Sequence, residues 1–288
     1  MSIAAPSVSL SPLRRELLSL LACPEDQGAL SGWDGVSPEA TLRCESCGRT
    51  YPVIDGLPRL LPDALRQGQD AAASDEAAEK IQEMAARDEQ VSLYDNNLPL
   101  RLFSIPEIPL TLRYLSLEPD SLLLEGGCGT GRMTPTFAAV VRGIVCVDFS
   151  AESLRAARAK LPPELAAKAL CAQADLSRLP LRSDAFDRVG SFQVMEHIPT
   201  PAARASAAAS LARVLKPRTH GGRLALSAYR WGPPLSWSAA KEGHHDGGIY
   251  YYRSTWPELE ALVTPHLDVR QHTGALLYHH LLWGRRNS

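Results

Sequence analysis

The run Leu-Leu-Leu-Glu-Gly-Gly-Cys-Gly-Thr-Gly-Arg at residues 122–132 sets an apolar stretch against an acid and four glycines. Few folds accommodate such a run. A short apolar stretch that meets glycines at once reads as a buried strand ending in a tight turn. Met133 to Val141 then has helical character, and Gly-Ile-Val-Cys-Val-Asp-Phe-Ser (143–150) reads as a second strand. Strand, glycine turn, helix and strand make a βαβ unit, which predicts an α/β fold around a parallel sheet. Gly127, Gly129 and Gly131 let the backbone turn sharply and approach a ligand at the positive end of the following helix. Asp148, closing the second strand, places a carboxylate where it can accept hydrogen bonds from both hydroxyls of a ribose. A nucleoside-bearing ligand is therefore expected. The loop spacing, G-C-G-T-G, differs from the G-x-G-x-x-G of dinucleotide sites.

The chain has 288 residues, enough for one large or two modest domains, and its 30 Lys+Arg against 32 Asp+Glu leave a formal charge of −2. That balance supplies no strong field for nucleic acid and favours a small or neutral partner, although a local basic face is compatible with it. Leu13 to Leu21 reads as a short amphipathic helix opened by Ser11 and Pro12, too brief for an export signal. No segment approaches the ~18 apolar residues of a membrane span. The six cysteines lie in metal-like or strand contexts, which suits a reducing cytoplasm.

Cys23, and Cys44 with Cys47 in a C-x-x-C followed by Gly48, bring two short loops toward one point. The segment resembles the small zinc-binding domain of the tRNA-methyltransferase activator family, with its C-P-x-C, C-x-x-C-G and Y-P-V-x-D-G-I-P. Here Tyr51-Pro52-Val53-Ile54-Asp55-Gly56-Leu57-Pro58 matches the last motif closely, while Asp26 stands where the second cysteine belongs. The resemblance implies a β-rich, zinc-ribbon-like module over residues 1–62. It leaves two metal states open: a structural zinc on Cys23, Asp26, Cys44 and Cys47, or a lost metal with the cysteines as small buried residues. From 63 to 114 the chain is read as a linker and helical lid segment, with a mobile linker in the first half of the polar, Ala-rich stretch from Pro62 to about Asn97. Ile81, Met84 and Val91 give Glu76 to Leu93 helical spacing.

After the glycine loop come, in order, Val-Cys-Val-Asp-Phe-Ser, Gln-Ala-Asp-Leu (173–176), Gly-Ser-Phe-Gln-Val-Met-Glu-His-Ile-Pro (190–199) and Val-Leu-Lys-Pro (214–217) before Gly-Gly-Arg-Leu-Ala-Leu. This succession, over residues 115–288, resembles the class I S-adenosylmethionine-dependent methyltransferases, in particular the ubiquinone- and menaquinone-biosynthesis-like branch. The resemblance implies a Rossmann-like sheet of order 3-2-1-4-5-7-6 that binds S-adenosylmethionine. It implies Glu125, Gly127, Cys128, Gly129 and Gly131 at the methionine part, Asp148 at the ribose and Phe149 at the adenine edge. Asp175 and Leu176 would meet the adenine amino group and ring, Ser191 and Gln193 the far side, and Tyr94 would lie over the cofactor. Gly126 departs from the family's usual apolar residue and is expected to loosen the loop.

Methyl transfer needs a collinear, dry arrangement, and a base only where the acceptor must lose a proton. The candidates are His197, expected to be structural at a helix start, and His244 or His245 in the loop after the fifth strand. Trp231, Trp237, Tyr250, Tyr251 and Tyr252 of that loop are expected to wall a pocket for a flat or apolar acceptor. Three readings compete: a methyltransferase for a small metabolite, one for RNA or protein that uses the cysteine module for recognition, and a noncatalytic cofactor-binding module. The module is expected to dock in cis.

Overall fold

A computed structural model of the chain describes residues 10–66, 75–94, 98–245, 247–275 and 278–287; for 75, 92–94, 98–106 and 275 it gives the backbone alone. The helices are α1 (Pro12–Ser19), α2 (Asp63–Arg66), α3 (Asp75–Tyr94), α4 (Leu98–Leu115), α5 (Thr134–Val140), α6 (Ala151–Ala159), α7 (Pro163–Ala166), α8 (Pro201–Val214) and α9 (Trp256–Val263). The strands are β1 (Leu30–Ser31), β2 (Ala40–Cys44), β3 (Thr50–Ile54), β4 (Leu57–Leu60), β5 (Leu122–Gly126), β6 (Gly143–Asp148), β7 (Ala169–Ala174), β8 (Arg188–Phe192), β9 (Arg223–Tyr229), β10 (Glu242–His244), β11 (Tyr250–Tyr252), β12 (Leu267–Ala275) and β13 (His279–Arg286).

Local chemistry explains the boundaries. Ser11 caps α1 by accepting the Arg14 N–H at 3.1 Å, with Pro12 in the first turn. Thr255 and Glu258 form a reciprocal capping box at α9. Asp55 and Gly56, both at positive φ, make the two-residue turn between β3 and β4.

One sheet holds most of the molecule, in the order β1-β2-β3-β4-β7-β6-β5-β8-β9-β13-β12. From β7 onward this is the expected 3-2-1-4-5-7-6. The pairings from β7 through β9 are parallel, and β13 runs antiparallel between β9 and β12. The amino-terminal strands extend the same sheet. β4 joins β7 in parallel, with Arg59 opposite Gln173 and Leu60 opposite Ala174. Leu17, Leu42, Tyr51 and Leu60 are buried in one core with Leu170, Leu181 and Val189, so no solvent layer divides the two parts.

Residues 98–115, most of them within the expected helical lid segment, form a second long helix, α4. Gly126 does not loosen the loop: it ends β5, and a Cβ there would sit 3.1 Å from both Leu176 and Leu211, so its lack of a side chain is taken up by packing. The loop after the fifth strand contains an antiparallel hairpin, β10 with β11. Of the expected mobile stretch, residues 63–66 form the short helix α2, and 67–74 lie outside the described residues. No helix among the described residues is long and apolar enough to cross a membrane.

Candidate cofactor and acceptor site

A cavity opens at the carboxyl ends of β5, β6, β7 and β8, the edge where open α/β sheets bind ligands. The glycine turn forms its floor. Gly127 has φ +75°, and a Cβ there would lie 2.4 Å from Val194, so only glycine fits between strand and wall. Gly131 serves packing instead: at φ +79° its added Cβ would strike Ala157 of α6 at 2.9 Å.

Asp148 holds the turn in place. One carboxylate oxygen accepts the Gly129 N–H at 2.8 Å and the other the Ser150 N–H at 2.9 Å. Burial pushes its carboxyl above the usual range, and the two N–H groups and Arg87 oppose that shift. Glu125, also buried, accepts from the Thr134 hydroxyl at 2.7 Å, and desolvation raises its carboxyl to about 7. Asp175 caps the turn at 176–178 through the Ser177 N–H. Its second oxygen takes both the Ser177 hydroxyl, at 2.7 Å, and the ammonium of Lys80, at 2.8 Å. This carboxylate, expected at the adenine amino group, thus has a buried cation beside it.

Lys80 belongs to α3, which roofs the cavity with Glu83, Arg87, Gln90 and Val91. α3 is tied down along its length: Lys80 to Asp175, Glu83 to the Tyr250 N–H at 2.9 Å, and Asp88 to the Ser150 hydroxyl. From α4, Glu107 accepts from Arg132 and from the Gln193 amide. Sequence reasoning missed this polar stripe. Lys80, Glu83 and Arg87 recur at helical spacing, but the sequence pattern singles out only the apolar Ile81, Met84 and Val91.

Of the expected cofactor residues, Glu125, Gly127, Cys128, Gly129, Asp148, Phe149, Asp175, Leu176 and Gln193 line the cavity together. Gly131 and Ser191 do not; Ser191 is buried within β8. The Tyr94 side chain lies outside the described residues. Of the expected bases, only His197 reaches the wall. Its Nδ1 lies 2.7 Å from the Tyr250 carbonyl, so that nitrogen carries the proton and donates, and Nε2 keeps a lone pair. Burial, then Arg87, holds its pKa well below the ordinary value. His245 stands behind it, 6.0 Å between ring centroids, and His244 is exposed on the hairpin. The expected aromatic wall is not formed by these residues. Tyr251 stacks with Arg253, Tyr252 with Arg204, and Trp237 is 78% exposed, while Ile249 supplies the hairpin's wall contact.

Next to His197, Glu196 is 1% exposed and neither carboxyl oxygen has a well-formed hydrogen bond; burial raises it to about 8. A raised acid keeps its proton in the fold after the unfolded chain has lost it. Its contribution to stability therefore falls by up to about 1.4 kcal/mol per pH unit as pH climbs from the ordinary carboxyl range to about 8. Glu196→Gln cannot ionise and is expected to gain in thermal midpoint on the native protein across that window. Parallel melting curves for the two proteins would contradict this burial.

In the amino-terminal part, one donor atom each from Cys23, Asp26, Cys44 and Cys47 lies within 4.8 Å of the others. A Cβ on Gly28 would reach the Cys44 sulfur at 2.7 Å and the Asp26 carboxylate at 3.0 Å, so the cradle is closed by a glycine. Three thiols and a carboxylate are a donor set that fits tetrahedral zinc. The same part touches the cavity at one remove. Arg59 of β4 donates to the Gln173 amide oxygen at 3.2 Å, and the Gln173 amide donates to the Phe149 carbonyl at 2.9 Å.

Residues 124–226 match a family described as methyltransferase domain, and residues 14–56 match the Trm112p-like proteins. A probable S-adenosylmethionine-dependent methyltransferase of Mycobacterium tuberculosis is 34% identical over 76 residues, which is 26% of this chain and 26% of that protein. The match thus spans about a quarter of the curated relative. Among solved structures, a chain from the complex of the Haloferax volcanii Trm112 methyltransferase activator superposes at TM-score 0.57 with 15% identity, covering 70% of this chain and 98% of that one. The PH0226 protein of Pyrococcus horikoshii gives 0.55 with 18% identity, covering 67% and 93%. The [4+2]-cyclase SpnF gives 0.52 with 15% identity, covering 62% and 79%, so the shared architecture alone does not specify the reaction.

Proposed function

We propose that this chain, a class I S-adenosylmethionine-dependent methyltransferase in its central domain and Trm112-like at its front, moves a methyl group from S-adenosylmethionine to a small apolar or aromatic acceptor. The observation that carries the reading is the roofed cavity itself. Buried acids at the ends of adjacent parallel strands face it, and α3 and Ile249 line it from the other side. Asp148 would take the ribose hydroxyls with the lone pairs that Gly129 and Ser150 leave, Phe149 and Leu176 would flank the adenine, and Glu125 would face the methionine end. When bound, S-adenosylmethionine supplies an activated methyl on a sulfonium.

The residues' task is then positional. The glycine turn fixes the cofactor's approach, α3 and Ile249 exclude water, and His197 Nε2 stands ready to accept a proton from the acceptor. Isothermal titration tests the pocket. One S-adenosylhomocysteine per chain is expected, with NAD failing to compete; NAD binding in preference would replace this reading with a dehydrogenase.

Zinc on Cys23, Asp26, Cys44 and Cys47 would be structural, since four protein donors leave no position for chemistry. A second reading, an RNA or protein acceptor, draws on the Trm112-like match. Against it, the module's β4 edge is spent on β7 of the same chain, which supports docking in cis over capture of a partner.

A further inference from the structure

Three cationic side chains line the cavity, and each pairs with an acid. Lys80 is bound by Asp175 and Ser177, and Arg132 by Glu107. Arg87 pairs with Glu83 through its Nε at 3.0 Å, which orients the guanidinium, while its Nη2 is cut off from solvent and has no hydrogen-bond partner among the described residues. A buried donor left without an acceptor is disfavoured, and charge makes it more so.

The position of this cation matters as much as its open donor. Glu83, to which Arg87 is bonded, accepts the Tyr250 N–H at 2.9 Å, and the Tyr250 carbonyl takes the His197 Nδ1 proton at 2.7 Å, so Arg87 is tied to the His197 side of the cavity. The wall around it is apolar: Val91, Val194, Ile198, Pro199 and Ile249. Glu83 takes the Nε edge of the guanidinium, and the other acid on this side, Glu196, keeps its proton near neutral pH, which leaves the Nη2 donor open.

We propose that Arg87 is the anion-recognition residue of the acceptor pocket, and that the methyl acceptor is a small carboxylic acid whose carboxylate takes the Nη2 N–H. This rests on the methyltransferase reading above.

The test uses the full chain loaded with S-adenosylhomocysteine and two acid–amide pairs as probes, benzoate with benzamide and hexanoate with hexanamide, followed by ligand-observed NMR. Each acid is expected to bind at least tenfold more tightly than its amide, the scale of one charge-assisted hydrogen bond. Arg87→Gln is expected to abolish that preference, and Arg87→Lys to keep part of it. Acids and amides that bind alike, or not at all, overturn the proposal. So does an Arg87→Gln protein whose S-adenosylhomocysteine affinity falls tenfold, because the arginine would then serve the cofactor. Failure of the native chain to bind S-adenosylhomocysteine, seen before any acid is added, would instead remove the methyltransferase reading.

Discussion

Asp148→Ala is expected to bind S-adenosylhomocysteine about tenfold to a hundredfold more weakly than the native chain, by isothermal titration. The figure follows from hydrogen bonds to a charged group, each worth about 1.5 to 3 kcal/mol. Two losses combine. The ribose would lose its acceptor, and the Gly129 N–H, now bonded to Asp148 at 2.8 Å, would lose the anchor that fixes the glycine turn. Asp148→Asn separates them in part, since an amide oxygen can still accept the Gly129 N–H. An intermediate affinity is expected for it. Unchanged affinity in the Ala variant would remove Asp148 from the site.

A chain beginning at Asp75 is expected to be insoluble or unfolded, which is the largest stability effect foreseen. Its sheet would end at a bare β7 edge, since the Arg59 and Leu60 pairings with Gln173 and Ala174 would be gone. Arg14 would no longer bond the Ala169 carbonyl at 2.8 Å, nor the Ala22 N–H the Pro180 carbonyl at 2.8 Å. The apolar loss is greater. Leu17, Leu20, Leu21 and Leu60 pack into the core that Leu170, Leu179 and Leu181 share. Each fully buried leucine is worth about 1.5 to 3 kcal/mol, so these few approach the whole 5 to 15 kcal/mol of a typical domain. Circular dichroism and thermal melting check this. A truncated chain that melts like the native one and binds S-adenosylhomocysteine equally well would make residues 1–62 an independent recognition unit, and would favour a macromolecular acceptor.

Much of this fold is written locally. The glycine turn, the apolar strands β5 and β6 and the capped α1 and α9 follow from short-range rules, because hydrophobic period, glycine and cap residues act within a few positions. The cysteine cluster is legible for the same reason: Cys44 and Cys47 announce their own turn. What lay beyond reading depends on distance in the chain. Nothing near Lys80 reveals that it meets Asp175, 95 residues away, and nothing near Arg87 reveals a buried nitrogen with no partner among the described residues. Ser191 and Gly131 were placed by motif position, yet the strand period turns the first into the sheet and the second packs against α6. The aromatic hairpin misled for a physical reason as well: Tyr251 and Tyr252 found arginines to stack on, Arg253 and Arg204, and the shorter Ile249 took the wall.

The purified full chain, given methyl-labelled S-adenosylmethionine and a cell lysate separated by size into metabolites, RNA and protein, tests the central claim most directly. The label is expected in the metabolite fraction, and in an acid-extractable compound within it. Label in RNA or protein, or none in any fraction while the cofactor still binds, would contradict it.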